Sequence, residues 1–388
     1  MLNISLKEAR ELICKNVRAG EPEKISLYKA LGRIAFRDVY AEKDLPSIRQ
    51  AAQDGFAVAE IKKEGGFYQI ASQLGSTGAL AKDEALPVET GQKVPENALA
   101  VIPREDVDIE GGFIKVKKEP QRNNFLKMPG EDFKKGERLI KKGDLLNPGR
   151  ISLLAAYGYK EVEVYKKPRA GIITLNPYIS SPSPAVIDSN SYLLAALVEK
   201  EGGEVVRIEH AGNKSPAELM DLISNLKIEA DIVIATGATF GGKNRDLASF
   251  IKDTGGKILF SGVKMQPGGH NGAVIFDDLL FLSLSGNPAA CAVGFHLLAS
   301  PFLRLYQGKS PHLTRIKARV DDDFPFSARG SYRFLRGHFY FAGEVRVRIL
   351  PGQKPGMIRS LLDYNCLLEI SPETETIRAG MEVDVILV

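Results

Sequence analysis

Three short segments of this chain carry residue types that hold anions. Thr236-Gly-Ala-Thr-Phe-Gly-Gly-Lys-Asn-Arg-Asp246 follows an apolar run at 231–235 and precedes a helical pattern. Its glycines, Gly237 and Gly242 among them, let backbone amides approach a phosphate closely, and Lys243 and Arg245 can add charge-assisted bonds. Ser285-Gly-Asn-Pro288 follows a second apolar run and opens a long helix, where proline suits the first turn and Asn287 can cap it. Asp188-Ser-Asn-Ser191 is a third cluster of capping residues at a helix start. Taken singly, each reads as a loop or a cap, and 236–246 lacks the spacing of a P-loop or a dinucleotide fingerprint. Their joint occurrence at one edge of one sheet points to a cleft for an anionic ligand. A fourth segment, Gln53-Asp-Gly-Phe-Ala-Val58, holds an Asp-Gly pair that is by itself a turn signal.

The elements that must position these loops are legible as periodicity. Ser5 and Glu8 form a capping box ahead of an N-terminal helix, and Ser215 and Glu218 form a second one. Residues 46–138 hold short β-like runs between Gly- and Pro-containing turns. A short helix at 151–156 and a strand at 161–165 follow. From Pro168 strands alternate with helices: strands at 170–173, 204–208, 231–235 and 258–263, helices at 191–200 and near 247–253, then a hairpin joining 273–276 to 280–284 across Asp277 and Asp278. That alternation implies a parallel sheet covered on both faces. After Leu305 the chain returns to short strands, which predicts a β-rich terminal domain.

Composition narrows the function. With 388 residues, 44% hydrophobic and 26% charged, the chain is a folded multidomain protein and not a disordered, collagen-like or coiled-coil one. No uninterrupted apolar stretch reaches the roughly 18 residues that span a bilayer, and the start lacks the order of a secretory signal, so no membrane partner and a cytoplasmic location are expected. The three cysteines and five histidines are scattered, which argues against a disulfide framework or an all-protein zinc site. A net charge of +4 is too mild for a dedicated nucleic-acid binder. Residues 310–350 are locally basic, with Arg333, Arg336 and Arg346 interleaved with Tyr332, Phe334, Phe339 and Tyr340. Alternation favours a β domain with aromatics inward and arginines solvated over a single-strand nucleic-acid platform.

Read in order, these segments resemble the molybdopterin molybdenumtransferase family, which performs the last insertion step of molybdenum cofactor synthesis and includes the E domain of gephyrin. The likeness covers nearly the whole chain. It is carried by Ala30-Leu-Gly-Arg33, Gln53–Val58, Thr90-Gly91 with Val94-Pro95, Pro129-Gly-Glu-Asp132, Asp188–Ala196, Met265-Gln-Pro-Gly268, Gly286-Asn-Pro288 and Gly356-Met. The resemblance implies a multidomain α/β protein. An elongated linking and dimerisation domain would take 1–45 and 139–167, an inserted β-rich domain 46–138, a three-layer molybdopterin-binding α/β domain 168–309 and a C-terminal β domain 310–388. It further implies a homodimer that binds adenylylated molybdopterin and molybdate in a cleft shared between subunits, releasing AMP with the help of Mg2+. Asp54 and Thr90 fall on the family's catalytic aspartate and threonine. Asp188, Ser189, Asn190, Thr236, Gly237, Gly242, Lys243, Ser285, Gly286, Asn287 and Pro288 fall on its substrate-binding loops.

The departures from the family pattern are chemical. Thr174-Leu-Asn-Pro-Tyr178 stands where the family has Thr-Gly-Asp-Glu-Leu, so two carboxylates are missing. Lys243 stands where an acidic residue is expected, and an ammonium cannot ligate magnesium. The usual metal site should be weakened, with Asp246 the candidate to restore it. Gln266 replaces a family lysine, and Lys264, two residues earlier, is expected to supply the phosphate contact from the same strand face. Two functions follow: a transferase inserting molybdenum or tungsten, or a catalytically impaired paralogue that binds a pterin or nucleotide.

Overall fold

The computed structural model describes residues 3–73, 78–176, 187–238, 255–325 and 330–388. They form two compact units, one comprising 1–25, 32–36 and 163–388 and the other 26–31 and 37–162.

In the first unit, helix α1 (Leu6–Lys15) starts on the expected capping box: Glu8 donates its backbone N–H to Ser5 Oγ at 3.2 Å, and Ser5 N–H donates to the Glu8 carboxylate at 2.8 Å. Its buried face, Leu6, Ala9 and Ile13, joins the main core. The strands β1 (Arg169–Thr174), β2 (Glu204–His210), β3 (Ile232–Thr236), β4 (Lys257–Phe260), β5 (Gly272–Phe276) and β6 (Leu279–Leu284) make one sheet in the order β2-β1-β3-β6-β5-β4. Helices α2 (Asn190–Lys200), α3 (Pro216–Glu229) and α4 (Pro288–Tyr306) complete three layers. The middle strands are apolar throughout because both faces are covered. Ile232 and Ile234 of β3 face the core of α1, α2 and α4, while Val233 and Ala235 face that of α3.

Four neighbouring strands are parallel, but β5 runs antiparallel to both its neighbours, β6 and β4, so the sheet is mixed and the expectation of a parallel sheet is corrected there. The physical reason is the two-residue link Asp277-Asp278, with Asp277 at φ 53°, which can join only antiparallel neighbours. The strand expected at 258–263 is also split. Lys257–Phe260 stays in this sheet, whereas Gly262–Val263 pairs with Asn3–Ile4. The helix expected near 247–253 lies outside the described residues.

Helix α4 is 19 residues long and apolar enough in average composition to cross a membrane, although His296, Ser300 and Arg304 interrupt its apolar run; most of it is buried in this core. It passes through one π turn at Phe295–Ala299. Pro301 has no N–H to give the Leu297 carbonyl four residues earlier, and Arg10 Nε donates to that carbonyl at 2.9 Å instead. The C-terminal strands Tyr332–Phe341, Val345–Ile349, Arg315–Val320, Glu382–Leu387 and Cys366–Ile370 close on themselves as a barrel. There Arg346 pairs with Asp321, and Arg319 with Glu344. Arg336 departs from the expected pattern of solvated arginines: it is fully buried and donates to Ser360 Oγ and the Gly352 carbonyl. Tyr332 is 43% exposed, so the aromatics are not all inward.

The second unit is built on a six-stranded sheet in the order 100–103, 55–58, 84–88, 67–70, 113–116, 107–110. Gly55 pairs with Val88, which brings Asp54, just before one strand, beside Thr90, just after the other.

Candidate functional site

The carboxyl ends of the parallel strands finish level, because the register pairs Thr174 with both His210 and Thr236, and Thr236 with Leu284. The loops that leave this edge are stitched together by buried neutral polar groups. Asn190, the first residue of α2, donates one Nδ2 hydrogen to Thr236 Oγ1 at 3.0 Å and the other to the Gly286 carbonyl at 2.9 Å. Thr236 Oγ1 in turn donates to the Ser285 carbonyl at 3.0 Å. From the other side the fully buried Asn271 accepts the Ser285 N–H at 3.0 Å through Oδ1. Buried neutral networks of this kind fix one backbone geometry, since each broken member orphans the next.

Two glycines let the loops touch. Gly237 has φ +93°, and a Cβ there would lie 2.9 Å from the Asn176 nitrogen. A Cβ on Gly286 would lie 3.1 Å from the Gly237 Cα. Above this contact lies a cleft of about 480 Å3, bordered by Asn176 and Gly237, by Pro267 to His270, by Ser285 to Asn287, and by Ala290 and Pro355. Among the described residues no Lys, Arg, Asp or Glu lines it. Such a cleft suits a flat polar heterocycle lying on bare backbone, recognised at its edges by amide groups.

The start of α2 is capped from within the expected cluster, by Asp188, whereas the start of α4 departs from expectation. Ser189 and Asn287 make no side-chain cap bonds. The first amides of α2, Asn190 and Ser191, donate to Asp188 Oδ1 at 3.0 and 3.1 Å. Those of Ala289 and Ala290, just after Pro288, donate to the Pro355 carbonyl at 3.0 and 3.3 Å. The protein's own acceptors therefore occupy amides that the sequence offers to an anion.

The Asp188 side chain is buried, and its second oxygen, Oδ2, sits 3.5 Å from His210 Nδ1, which is itself 2.7 Å from Thr174 Oγ1. Sequence reasoning misses His210, Thr174 and Asn271. The only available signal is their place at or beside strand ends, since their partners are far away in sequence. Cys291 is buried with Sγ 3.8 Å from Thr236 Oγ1, and burial pushes its thiol up to about 12, so it is no nucleophile. Lys264 is not at the cleft: it lies on a different groove with Lys7 and Arg10. Gly242, Lys243 and Asp246 lie outside the described residues.

In the other unit, Asp54 Oδ1 accepts both the N–H and the hydroxyl of Thr90, each at 2.7 Å. These two donors hold the exposed carboxyl below the usual carboxylate range, so it is ionised at neutral pH.

The described residues do not make a magnesium site. Among them no three His, Cys, Asp or Glu side chains gather. Asp188, which leads into the loop-tying Asn190, spends one oxygen on two helix amides and buries the other. Magnesium asks for several oxygen donors with room for water.

Three family models match the chain in order: MoeA N-terminal region (domain I and II) over residues 4–158, a probable molybdopterin binding domain over 171–305, and MoeA C-terminal region (domain IV) over 317–388. Two curated relatives are the molybdopterin molybdenumtransferases of Staphylococcus aureus (strain COL), 28% identical, and Bacillus subtilis (strain 168), 29% identical. Both alignments cover 99% of this chain, with 95% and 94% of the relatives. The crystal structure of a molybdopterin biosynthesis moeA protein from Pyrococcus horikoshii OT3 superposes over 100% of both chains with a TM-score of 0.79 at 27% identity. A molybdenum cofactor biosynthesis protein from Pyrococcus furiosus shares the fold, with a TM-score of 0.64 at 23% identity over 100% of both chains.

Proposed function

The chain belongs to the MoeA family of molybdenum cofactor biosynthesis proteins, and from that premise we propose that it is a transferase that inserts molybdate into adenylylated molybdopterin and releases AMP. The observation that carries this reading is the glycine cleft at the carboxyl edge of the sheet, with Asn190 and Thr236 tying together the loops that border it. Its volume, about 480 Å3, falls within the range of small-molecule sites. The pterin ring would lie against the Gly237 and Gly286 backbone, with Ser285, Asn287 and His270 facing its polar edge. Asp188, Asn190 and Thr236 act as positioning residues, holding these loops in the geometry that binds.

The carboxylate proposed to take part in the reaction is Asp54, an assignment resting on its match to the family's aspartate. An ionised carboxylate held by two short donors is suited to orient a water by accepting its hydrogen bond, so that the water oxygen bonds to phosphorus as the phosphoanhydride bond breaks, AMP leaves and the proton passes to solvent. Thr90 keeps Asp54 ionised and aimed.

One observation favours a second reading, a binder without turnover: among the described residues no carboxylate lines the cleft. A single assay separates the two. Purified protein is incubated with adenylylated molybdopterin and molybdate, with and without magnesium, and AMP is measured. Release above a protein-free control that falls at least about a hundredfold in Asp54→Asn supports the transferase. Tight pterin binding with no AMP release supports the binder.

A further inference from the structure

A second groove, of about 760 Å3, lies between α1 and the C-terminal barrel and shares no lining residue with the glycine cleft. Its wall holds Arg10, whose Nε is engaged by the Leu297 carbonyl and which makes no ion pair among the described residues. The neighbouring Arg315 is spent on Glu369, with 2.6 Å between Nη1 and Oε2. Burial, and repulsion from Arg315, lower Arg10 to about 10, which still leaves it charged at neutral pH. Glu369, which is already paired with Arg315, offsets this half-buried charge only in part, and an anionic ligand would offset it further.

The rest of the groove adds to that demand. Lys7 and Lys264 are exposed on it, while its carboxylates are Glu11 and the already paired Glu369. Glu8 lies near enough to feel Lys264, but its carboxylate is tied to Ser5. Four permanent cations thus face two carboxylates, an excess that a dianion neutralises better than a single carboxylate does. The remaining lining is mixed: Ser5, His312 and Ser331 are polar, while Tyr332, 43% exposed, stands with apolar Leu313 and Pro372. An exposed ring beside apolar side chains suits a flat body stacked on it.

We propose that this groove is a second ligand site, for an organic phosphate with a flat apolar body, the phosphate meeting Arg10, Lys7 and Lys264 and the ring resting on Tyr332. It is independent of the pterin cleft and is probed with AMP. Because AMP is also the proposed product of the glycine cleft, calorimetry is run on full-length Gly286→Ala protein, whose added methyl obstructs that cleft, as well as on the unaltered chain. The expected result is saturable AMP binding that survives Gly286→Ala, weakens with added salt, and falls about tenfold in Lys7→Gln/Lys264→Gln and severalfold in Tyr332→Ala. Inorganic phosphate and adenosine alone should each bind at least about tenfold more weakly than AMP.

If AMP binding to Gly286→Ala is undetectable at about millimolar concentration and low salt, or is unchanged by both groove variants, the proposal is overturned. Should Gly286→Ala fail to fold, the unaltered protein is photolabelled with 8-azido-AMP and its peptides mapped. Label on the peptide holding Tyr332 supports the groove; label confined to the Ser285–Pro288 peptide overturns it. Failure of the pterin reading would appear separately, as absent AMP release with groove binding intact.

Discussion

Replacing Asn190 by alanine tests the stitched-loop geometry most sharply. The side chain gives two hydrogen bonds, 3.0 Å to Thr236 Oγ1 and 2.9 Å to the Gly286 carbonyl. Each contributes about 0.5–1.5 kcal/mol net, and losing the donor also strands part of the Gly286 carbonyl, which costs about 1 kcal/mol more. Against this, Asn190 Oδ1 is buried without a partner among the described residues, so deleting it returns some desolvation cost. The balance is about 2 kcal/mol against the closed arrangement of residues 285–287. That corresponds to roughly a thirtyfold greater population of opened loop. Native-state hydrogen exchange read by mass spectrometry should therefore show amides at 285–291 exchanging about thirtyfold faster in Asn190→Ala. Amides late in α2 should stay unchanged, because alanine suits a first helical position and the Asp188 cap does not depend on this side chain. Pterin affinity should fall only as far as the closed fraction itself falls, since the apparent Kd rises as the inverse of that fraction. Asn190→Asp should be worse, since it sets a carboxylate against the Gly286 carbonyl and beside Asp188. Exchange at 285–291 within about threefold of the unaltered protein would refute the reasoning.

Gly237→Ala should abolish pterin binding and destabilise the α/β domain by about 1–3 kcal/mol, because φ +93° and the 2.9 Å approach to Asn176 leave no room for a methyl; calorimetric unfolding checks this. Thr90→Val removes one of the two donors that favour ionised Asp54, so the acid limb of the AMP-release profile should move to higher pH, and an unmoved limb would remove Asp54 from the titrating role. Burial lowers His296 to about 3, so below about pH 6.5 the unfolded chain takes up a proton that the folded chain refuses. Stability should be unaffected by this group above that pH and fall with a slope of up to about 1.4 kcal/mol per unit towards pH 3. Urea midpoints from pH 7 to 4 should be flatter for His296→Gln than for the unaltered chain.

What is legible in the sequence is what depends on neighbours in sequence. Both capping boxes form as the local pattern predicts, at Ser5 with Glu8 and at Ser215 with Glu218. The hairpin across Asp277 is where the turn residues put it, and the helix expected at 191–200 spans Asn190–Lys200. What fails depends on partners far along the chain. Asn287 has the residue type and the place of a cap for α4, yet the distant Pro355 carbonyl accepts the N–H groups of Ala289 and Ala290. Strand alternation puts Lys264 on the face of Gln266, but the strand is interrupted at Lys264 itself. Gly262–Val263 pairs with Asn3–Ile4 and Met265–Gln266 with Tyr332–Arg333, so the face argument does not carry across the break. His210 reaches Thr174 and Asp188 only through the register of β1 and β2, which no local pattern announces.

The most direct test of the central claim, that the glycine-lined cleft at the carboxyl edge of the sheet holds the pterin, is a crystal structure of the protein with molybdopterin bound. The pterin ring is predicted to lie between Gly237 and Gly286 on one side and Gly268 and Gly269 on the other, with the Asn190 bonds to Thr236 and Gly286 intact. Pterin density anywhere else, with this cleft filled only by water, would contradict it.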